Sequence, residues 1–193
     1  MQRISVVGNS GSGKTTLARR LAVALDAPHI ELDAIHHLPG WVPIERDRFR
    51  AEVGRLAAAS RWIIDGNYRE VVVEGPVWER ADTVVWLRLP RRRVMRQIVL
   101  RTVRRTLTRQ VLWNGNREPI RNLLRWDPEH NIVRWAWTRH ARYEQRYGAA
   151  RLDPAYGHLT FVELRSTAEV DAWLAGLGKR SRSPAESDGD RCL

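Results

Sequence analysis

The run Gly8-Asn9-Ser10-Gly11-Ser12-Gly13-Lys14-Thr15-Thr16 constrains this chain more than any other stretch. It fits G-x-x-x-x-G-K-[ST] at every required position. Before it, Arg3 to Val7 is a short β-rich run that reads as a buried strand. After it, Leu17, Leu21 and Leu25 recur at i, i+4 and i+8, the buried stripe of a helix. Strand, glycine loop and helix are the geometry a phosphate cradle needs. Glycines let the backbone turn so that successive N–H groups point at an anion, and the helix N-terminus adds partial positive charge. Gly8, Asn9, Ser10, Gly11, Ser12, Gly13, Lys14, Thr15 and Thr16 are therefore expected to hold a nucleoside triphosphate. Lys14 would reach its β- and γ-phosphates, and the Thr15 hydroxyl would hold Mg²⁺.

The fold that can carry such a loop is narrow. Pro28 to Asp33 reads as a second strand, Trp62 to Asp65 as a third, Thr83 to Leu89 as a fourth and Leu159 to Leu164 as a fifth. Helical spacing falls between them: Phe49, Val53 and Leu56-Ala57 within 44–59, and Val170, Trp173, Leu174 and Leu177 after the capping box Ser166-x-x-Glu169. Alternation of this kind predicts an α/β, three-layer α/β/α P-loop NTPase domain with a five-stranded parallel sheet. Ligands of such sheets bind at the carboxyl ends of the strands. Gly8, Asp33 and Asp65 each follow a strand end, so all three should open on one crevice. Asp65 is placed to hold the Mg²⁺ shell, its alternative being a turn carboxylate before Gly66. Asp33 could take a proton from a substrate hydroxyl, or simply cap a helix. His36 and His37, adjacent in one turn-rich segment, lack the partner set a metal needs.

Charge separates the second half of the chain from the first. The formal net charge is +11, and Lys14 and Lys179 are the only lysines. Nine arginines and no acid lie between Arg88 and Arg109. On a helical wheel Arg93, Arg101, Arg104 and Arg105 share one side and Val99, Val103 and Leu107 another, so a helix with a basic face is expected. Asp127-Pro128 then reads as the start of a second helix ending at Gly148, with Arg139, Arg142 and Arg146 along one face. Between these helices a loop over 113–126 carries Arg117, Arg121 and Arg125. The basic segment could be a solvated surface, a nucleic-acid surface, or a lid over the triphosphate. Its place between strands four and five, beside the phosphate loop, favours the lid. Trp86 and Trp173 read as core, whereas Trp41, Trp113, Trp126, Trp135 and Trp137 could face core or ligand.

At 193 residues, 43% apolar and 28% charged, the chain suits one domain over 1–177, with the lid at about 91–147 and a disordered tail at 178–193. It has no apolar run long enough to span a membrane. With one cysteine, Cys192, and no signal-like N-terminus, a cytoplasmic home is expected.

The chain resembles the adenylate-kinase-like P-loop kinases, and within them the small bacterial proteins known as DNA topology modulation proteins. The resemblance spans about residues 1–175. It rests on Gly8 to Thr16, Leu32-Asp33, Pro39-Gly40-Trp41, Trp62-Ile63-Ile64-Asp65-Gly66-Asn67-Tyr68 and Ala81-Asp82-Thr83. It implies ATP and Mg²⁺ as cofactors and a phosphoryl acceptor of nucleotide or nucleoside type. It further implies Arg69, in Asp65-Gly66-Asn67-Tyr68-Arg69, as an acceptor contact, and Arg104 or Arg105 with Arg139 and Arg142 as lid arginines. Two departures count against AMP as the acceptor: the segment between strands two and three is short, and Asn67-Tyr68 replaces Phe-Pro. The rival reading is an ATP-binding, nucleic-acid-associated regulator with little kinase activity, although no residue here shows action on DNA.

Overall fold

The computed structural model describes residues 1–117 and 132–181. Five parallel strands form one sheet: β1 (Arg3–Gly8), β2 (His29–Glu31), β3 (Trp62–Asp65), β4 (Thr83–Leu87) and β5 (Thr160–Leu164). Their order is β2-β3-β1-β4-β5. The register sets Val6 opposite Asp65 on one side and Val85 on the other. The phosphate loop thus leaves the central strand, flanked by the ends of β3 and β4.

Successive strand residues point to opposite faces, and both faces are covered. Ile4, Val6, Ile63, Val85 and Leu87 pack against Leu17 and Leu21 of α1 (Lys14–Leu25) and Val170 and Leu177 of α7 (Thr167–Ser181). Val7, Trp62, Ile64, Val84 and Trp86 pack on the other face with Phe49 and Val53 of α3 (Arg46–Ala57), Trp78 of α4 (Pro76–Arg80) and Tyr147 of α6 (Ile132–Leu152). The expected three layers are there. Two buried tryptophans not singled out from the sequence anchor the second face. Trp62 donates its indole N–H to the Ala57 carbonyl at 3.1 Å, and Trp78 donates to Ser5 Oγ at 3.1 Å. A buried indole needs such a partner.

Several local expectations are corrected. β2 stops at Glu31, and Leu32–His36 forms a short helix, α2, so Asp33 sits on a helix rather than at a strand end. Five residues are too few to show helical periodicity in a sequence. α6 runs through Gly148 to Leu152 and ends before Asp153-Pro154, where proline cannot continue it. α7 likewise passes Gly178 to Ser181. α5 (Arg91–Leu107) buries Val94, Ile98 and Thr102, whereas Val99, Leu100, Val103 and Leu107 face outward, with Leu100 59% and Leu107 77% exposed. Arg121, Arg125, Trp126, the Asp127-Pro128 helix start and the tail beyond Ser181 lie outside the described residues.

Candidate active site

The loop geometry follows from its glycines. Gly11 and Gly13 take φ of +81° and +94°, the left-handed region that side chains rarely adopt. A Cβ on Gly8 would lie 2.6 Å from the Leu87 carbonyl oxygen, and one on Gly11 would lie 2.8 Å from Ile98 Cβ on α5. The loop is therefore wedged between β4 and α5. Side chains complete the support. Asn67 clamps Gly8, accepting its N–H at 3.3 Å and donating to its carbonyl at 2.6 Å, while Tyr147 donates to Asn67 at 3.0 Å. Asn9 donates to the Ala136 carbonyl of α6 at 2.9 Å, tying the loop to the second long helix.

Beside the loop is a crevice of about 1170 Å³, lined by the loop, α2, the end of β3, α5 and the 110–113 segment. Lys14, Thr15, Asp33 and Asp65 all line it, as the sequence predicts. Lys14 Nζ donates to the Asn9 carbonyl at 3.0 Å. Withdrawal from water lowers its pKa; Asp33, Asp65 and Glu31 pull it up, but less strongly. The Thr15 hydroxyl donates to Asp65 at 2.6 Å, with Glu31 at 3.3 Å on its other side. His29 Nε2 donates to the second Asp65 oxygen at 2.9 Å, so both oxygens of this buried carboxylate are oriented. Glu31 and His29 carried no local motif. Only the pairing of β2 with β3, which sets Glu31 opposite Asp65, brings them here.

Could these residues hold a nucleoside triphosphate and Mg²⁺? The cradle leaves no room for a side chain at Gly8 or Gly11, and the buried Ser12 hydroxyl has no protein partner. Thr15, Asp65 and Glu31 are hard oxygen donors, the type Mg²⁺ selects. The residues fit both groups.

Across the crevice, Tyr68 donates to Asp33 Oδ1 at 2.7 Å. Burial, then the Asp33 charge, pushes the Tyr68 phenol far above its usual range, so it remains a donor. Around this pair stands a wall of rings. His36 lies 4.5 Å from Tyr68, and His37 stacks on Trp113 at 5.9 Å with 25° between planes. Trp41 stands edge-on to both His37 and Trp113, at 5.2 and 6.2 Å. Burial, then the neighbouring His37, lowers the His36 pKa, so the ring is neutral at pH 7. The 111–117 segment closes this side. Asn114 donates to the carbonyls of Ala34 and His37, and Asn116 donates to that of Leu38 and accepts the Trp41 N–H. Trp41 also donates its indole N–H to the Arg117 carbonyl. These bonds hold Trp41 at φ +63°, a strained value for an aromatic residue.

The expected arginines divide. On α5 the crevice face is Gln97, Arg101 and Arg105, at i, i+4 and i+8. Arg104 is turned about 100° away and is exposed. Arg139 lies over the Trp135 ring at 4.2 Å and does not line the crevice, and Arg142 is exposed. Arg69 is 61% exposed, pairs with Glu74 and does not line the crevice. Arg101, placed on the basic face by the sequence but not among the expected lid arginines, is one turn before Arg105 and acts on Lys14.

No family model matches the chain, and no curated protein sequence matches it. Among solved structures it is similar to a shikimate kinase from Acinetobacter baumannii in complex with shikimate, at TM-score 0.53 and 18% identity over 94% of this chain and 93% of that one. It is also similar to a gluconokinase from Sinorhizobium meliloti 1021 (0.48, 20%, 93% of this chain and 95% of that) and a shikimate kinase from Bacteroides thetaiotaomicron (0.49, 14%, 94% and 99%). At such identity the likeness to the Acinetobacter enzyme is one of architecture. The chain has the P-loop kinase fold.

Proposed function

We propose that the chain is a phosphotransferase that uses ATP and Mg²⁺ to phosphorylate a hydroxyl of a small acceptor of nucleotide or nucleoside type. The observation that carries this reading is a single crevice with two carboxylate arrangements, Thr15–Asp65–His29 beside the loop and Tyr68–Asp33 opposite. Lys14 and the N–H groups of residues 8–16 bind the donor phosphates. Thr15 and Asp65, with Glu31 near, hold Mg²⁺ and its waters. The metal supplies charge neutralisation across the phosphate oxygens. Asp33, held by Tyr68, accepts the proton of the acceptor hydroxyl as its oxygen bonds to the γ-phosphorus. The bond from that phosphorus to the β–γ bridging oxygen breaks, and ADP leaves with the electron pair. Of the arginines expected from the sequence, Arg105 is retained in this scheme and Arg101 joins it; Arg69, Arg104, Arg139 and Arg142 are given no contact with the reactants. The unit is the expected domain of residues 1–177 carried on to the end of α7 at Ser181, with α5, the 111–117 segment and α6, within the expected lid of about 91–147, excluding water.

The test is ADP release by the full chain across a panel of acceptors. Asp33→Asn should lower kcat by about 10²–10⁴, the usual contribution of a positioned base, while Mg–ATP still binds. Full activity in that variant sinks the role of Asp33. The finer kinship, with DNA topology modulation proteins, makes a different prediction. It expects background hydrolysis with every acceptor and duplex DNA binding that weakens steeply with salt. The exposed Arg92, Arg93, Arg96 and Arg104 of α5 are the surface for it.

A further inference from the structure

The acceptor half of the crevice is made of rings around one carboxylate, Asp33, and this selects a chemical class. Three carboxylates line the crevice: Glu31, Asp33 and Asp65. Asp33 is fixed at the foot of the ring wall by the Tyr68 hydroxyl. The wall above it holds His36, His37, Trp41 and Trp113, with Trp135 also on the lining. These rings are held firmly. Trp41 is fixed by its backbone N–H to Asn116 and its indole N–H to the Arg117 carbonyl, in a backbone conformation it would not adopt unaided. Trp113 directly precedes Asn114, and the Asn114 and Asn116 bonds fasten its segment to residues 34–41. His36 keeps a buried ring nitrogen, Nδ1, with no protein partner. Rigid aromatic faces with a few polar atoms bind planar rings by stacking, largely without regard to which ring it is.

A phosphorylated acceptor asks for something else. Its phosphate dianion needs a guanidinium fork, and carboxylates beside it repel it. Arg69, at the position expected to supply that fork, is turned to Glu74 and lies off the crevice. Arg101 acts on Lys14, on the donor side. Arg105 lies over the Trp113 ring, 5.9 Å from its centre.

We propose that the acceptor is an uncharged planar heteroaromatic compound carrying a free alcohol, a nucleoside in type, and not a nucleoside monophosphate. This rests on the phosphotransferase reading above. The ring stacks in the Trp41–Trp113–His37 corner, and the alcohol is directed at Asp33. The new bond joins the alcohol oxygen to the γ-phosphorus, ADP departs, and the proton passes to Asp33. The product is the acceptor's monophosphate ester.

The experiment uses the full chain with Mg–ATP and matched pairs: adenosine, guanosine, cytidine, uridine and thymidine, each beside its own 5′-monophosphate, with glycerol and ribose as ring-free controls. ADP release gives kcat/KM, and quenching of tryptophan fluorescence gives binding. At least one nucleoside should exceed its monophosphate and both controls by tenfold or more in kcat/KM. Trp113→Ala should raise KM for that nucleoside tenfold or more with a smaller change in kcat, and Trp113→Phe should recover most of the loss. A monophosphate or a ring-free alcohol as the best acceptor overturns this assignment and leaves the phosphotransferase standing. ADP release at the hydrolytic background with every compound, while Mg–ATP still binds, overturns both.

Discussion

Lys14→Met should make the chain more stable and unable to bind its donor. The Lys14 ammonium is held back from water, and this outweighs the attraction of Asp33, Asp65 and Glu31, so the charged form is disfavoured in the folded chain. Methionine is close in length and has no charge to desolvate. Replacing a buried charge by an apolar side chain of similar volume is commonly neutral or favourable; with the side chain only partly open to the crevice, a gain of about 1 kcal/mol is expected. For a domain of this size that is a rise in Tm of about 2–4 °C. The pH dependence has a fixed sign. A lysine with a lowered folded pKa destabilises the fold below that pKa, and the penalty lifts as pH rises through it toward the unfolded value. The gap between variant and wild type should therefore narrow in alkali. Ligand reverses the ranking. At 100 times Kd, Mg–ATP should stabilise the wild type by about 2.7 kcal/mol, or about 5–11 °C, and Lys14→Met by nothing. Thermal unfolding with and without Mg–ATP, at pH 7 and pH 10, reads all of this. A basal Tm below wild type, or a retained ligand shift, refutes the reasoning.

Two further outcomes can be checked in the same way. Gly11→Ala places a Cβ 2.8 Å from Ile98 Cβ at φ +81°; left-handed strain of about 1–2 kcal/mol plus displacement of the loop should lower Tm and weaken Mg–ATP binding together. Glu163 accepts from Arg165, Arg88 and Arg151 at 2.7–3.0 Å, and Arg165 first, then Arg88, lowers its pKa. Its contribution to stability is present above the unfolded carboxylate pKa and is lost as pH falls through the folded one. Its partners are solvent-screened, so Glu163→Gln should cost about 1 kcal/mol at pH 7 and almost nothing at pH 2, by urea unfolding at the two pH values.

The parts of this molecule written in short sequence spans were legible in advance. Residues 8–16, the strand runs and the capping box at Ser166 are local patterns, and each became the element expected except at the end of the second strand run, which turns into α2 at Leu32. Direction was harder than spacing. Along α5, Val99, Val103 and Leu107 make as good a stripe as Val94, Ile98 and Thr102, and tertiary packing, including the approach of Gly11 to Ile98, turns the second one inward. That choice brings Arg101 and Arg105 to the crevice and takes Arg104 away. The ring wall joins segments more than 70 residues apart through asparagine side chains, and no local pattern announces such a pairing. Asn67 was visible as part of a motif, but its clamp on Gly8 follows from the register of β3 against β1.

The asparagine fastening between the 111–117 segment and residues 34–41 has one more property. Asn114 and Asn116 address the backbone of the opposite segment: the carbonyls of Ala34, His37 and Leu38 and the N–H of Trp41. Backbone groups do not change when side chains do. His36 and His37 can therefore be exchanged for other residues without removing a bond that holds the two segments together. The fastening and the two histidines are written in separate alphabets, so His36 and His37 can change while the bonds between the segments stay as they are.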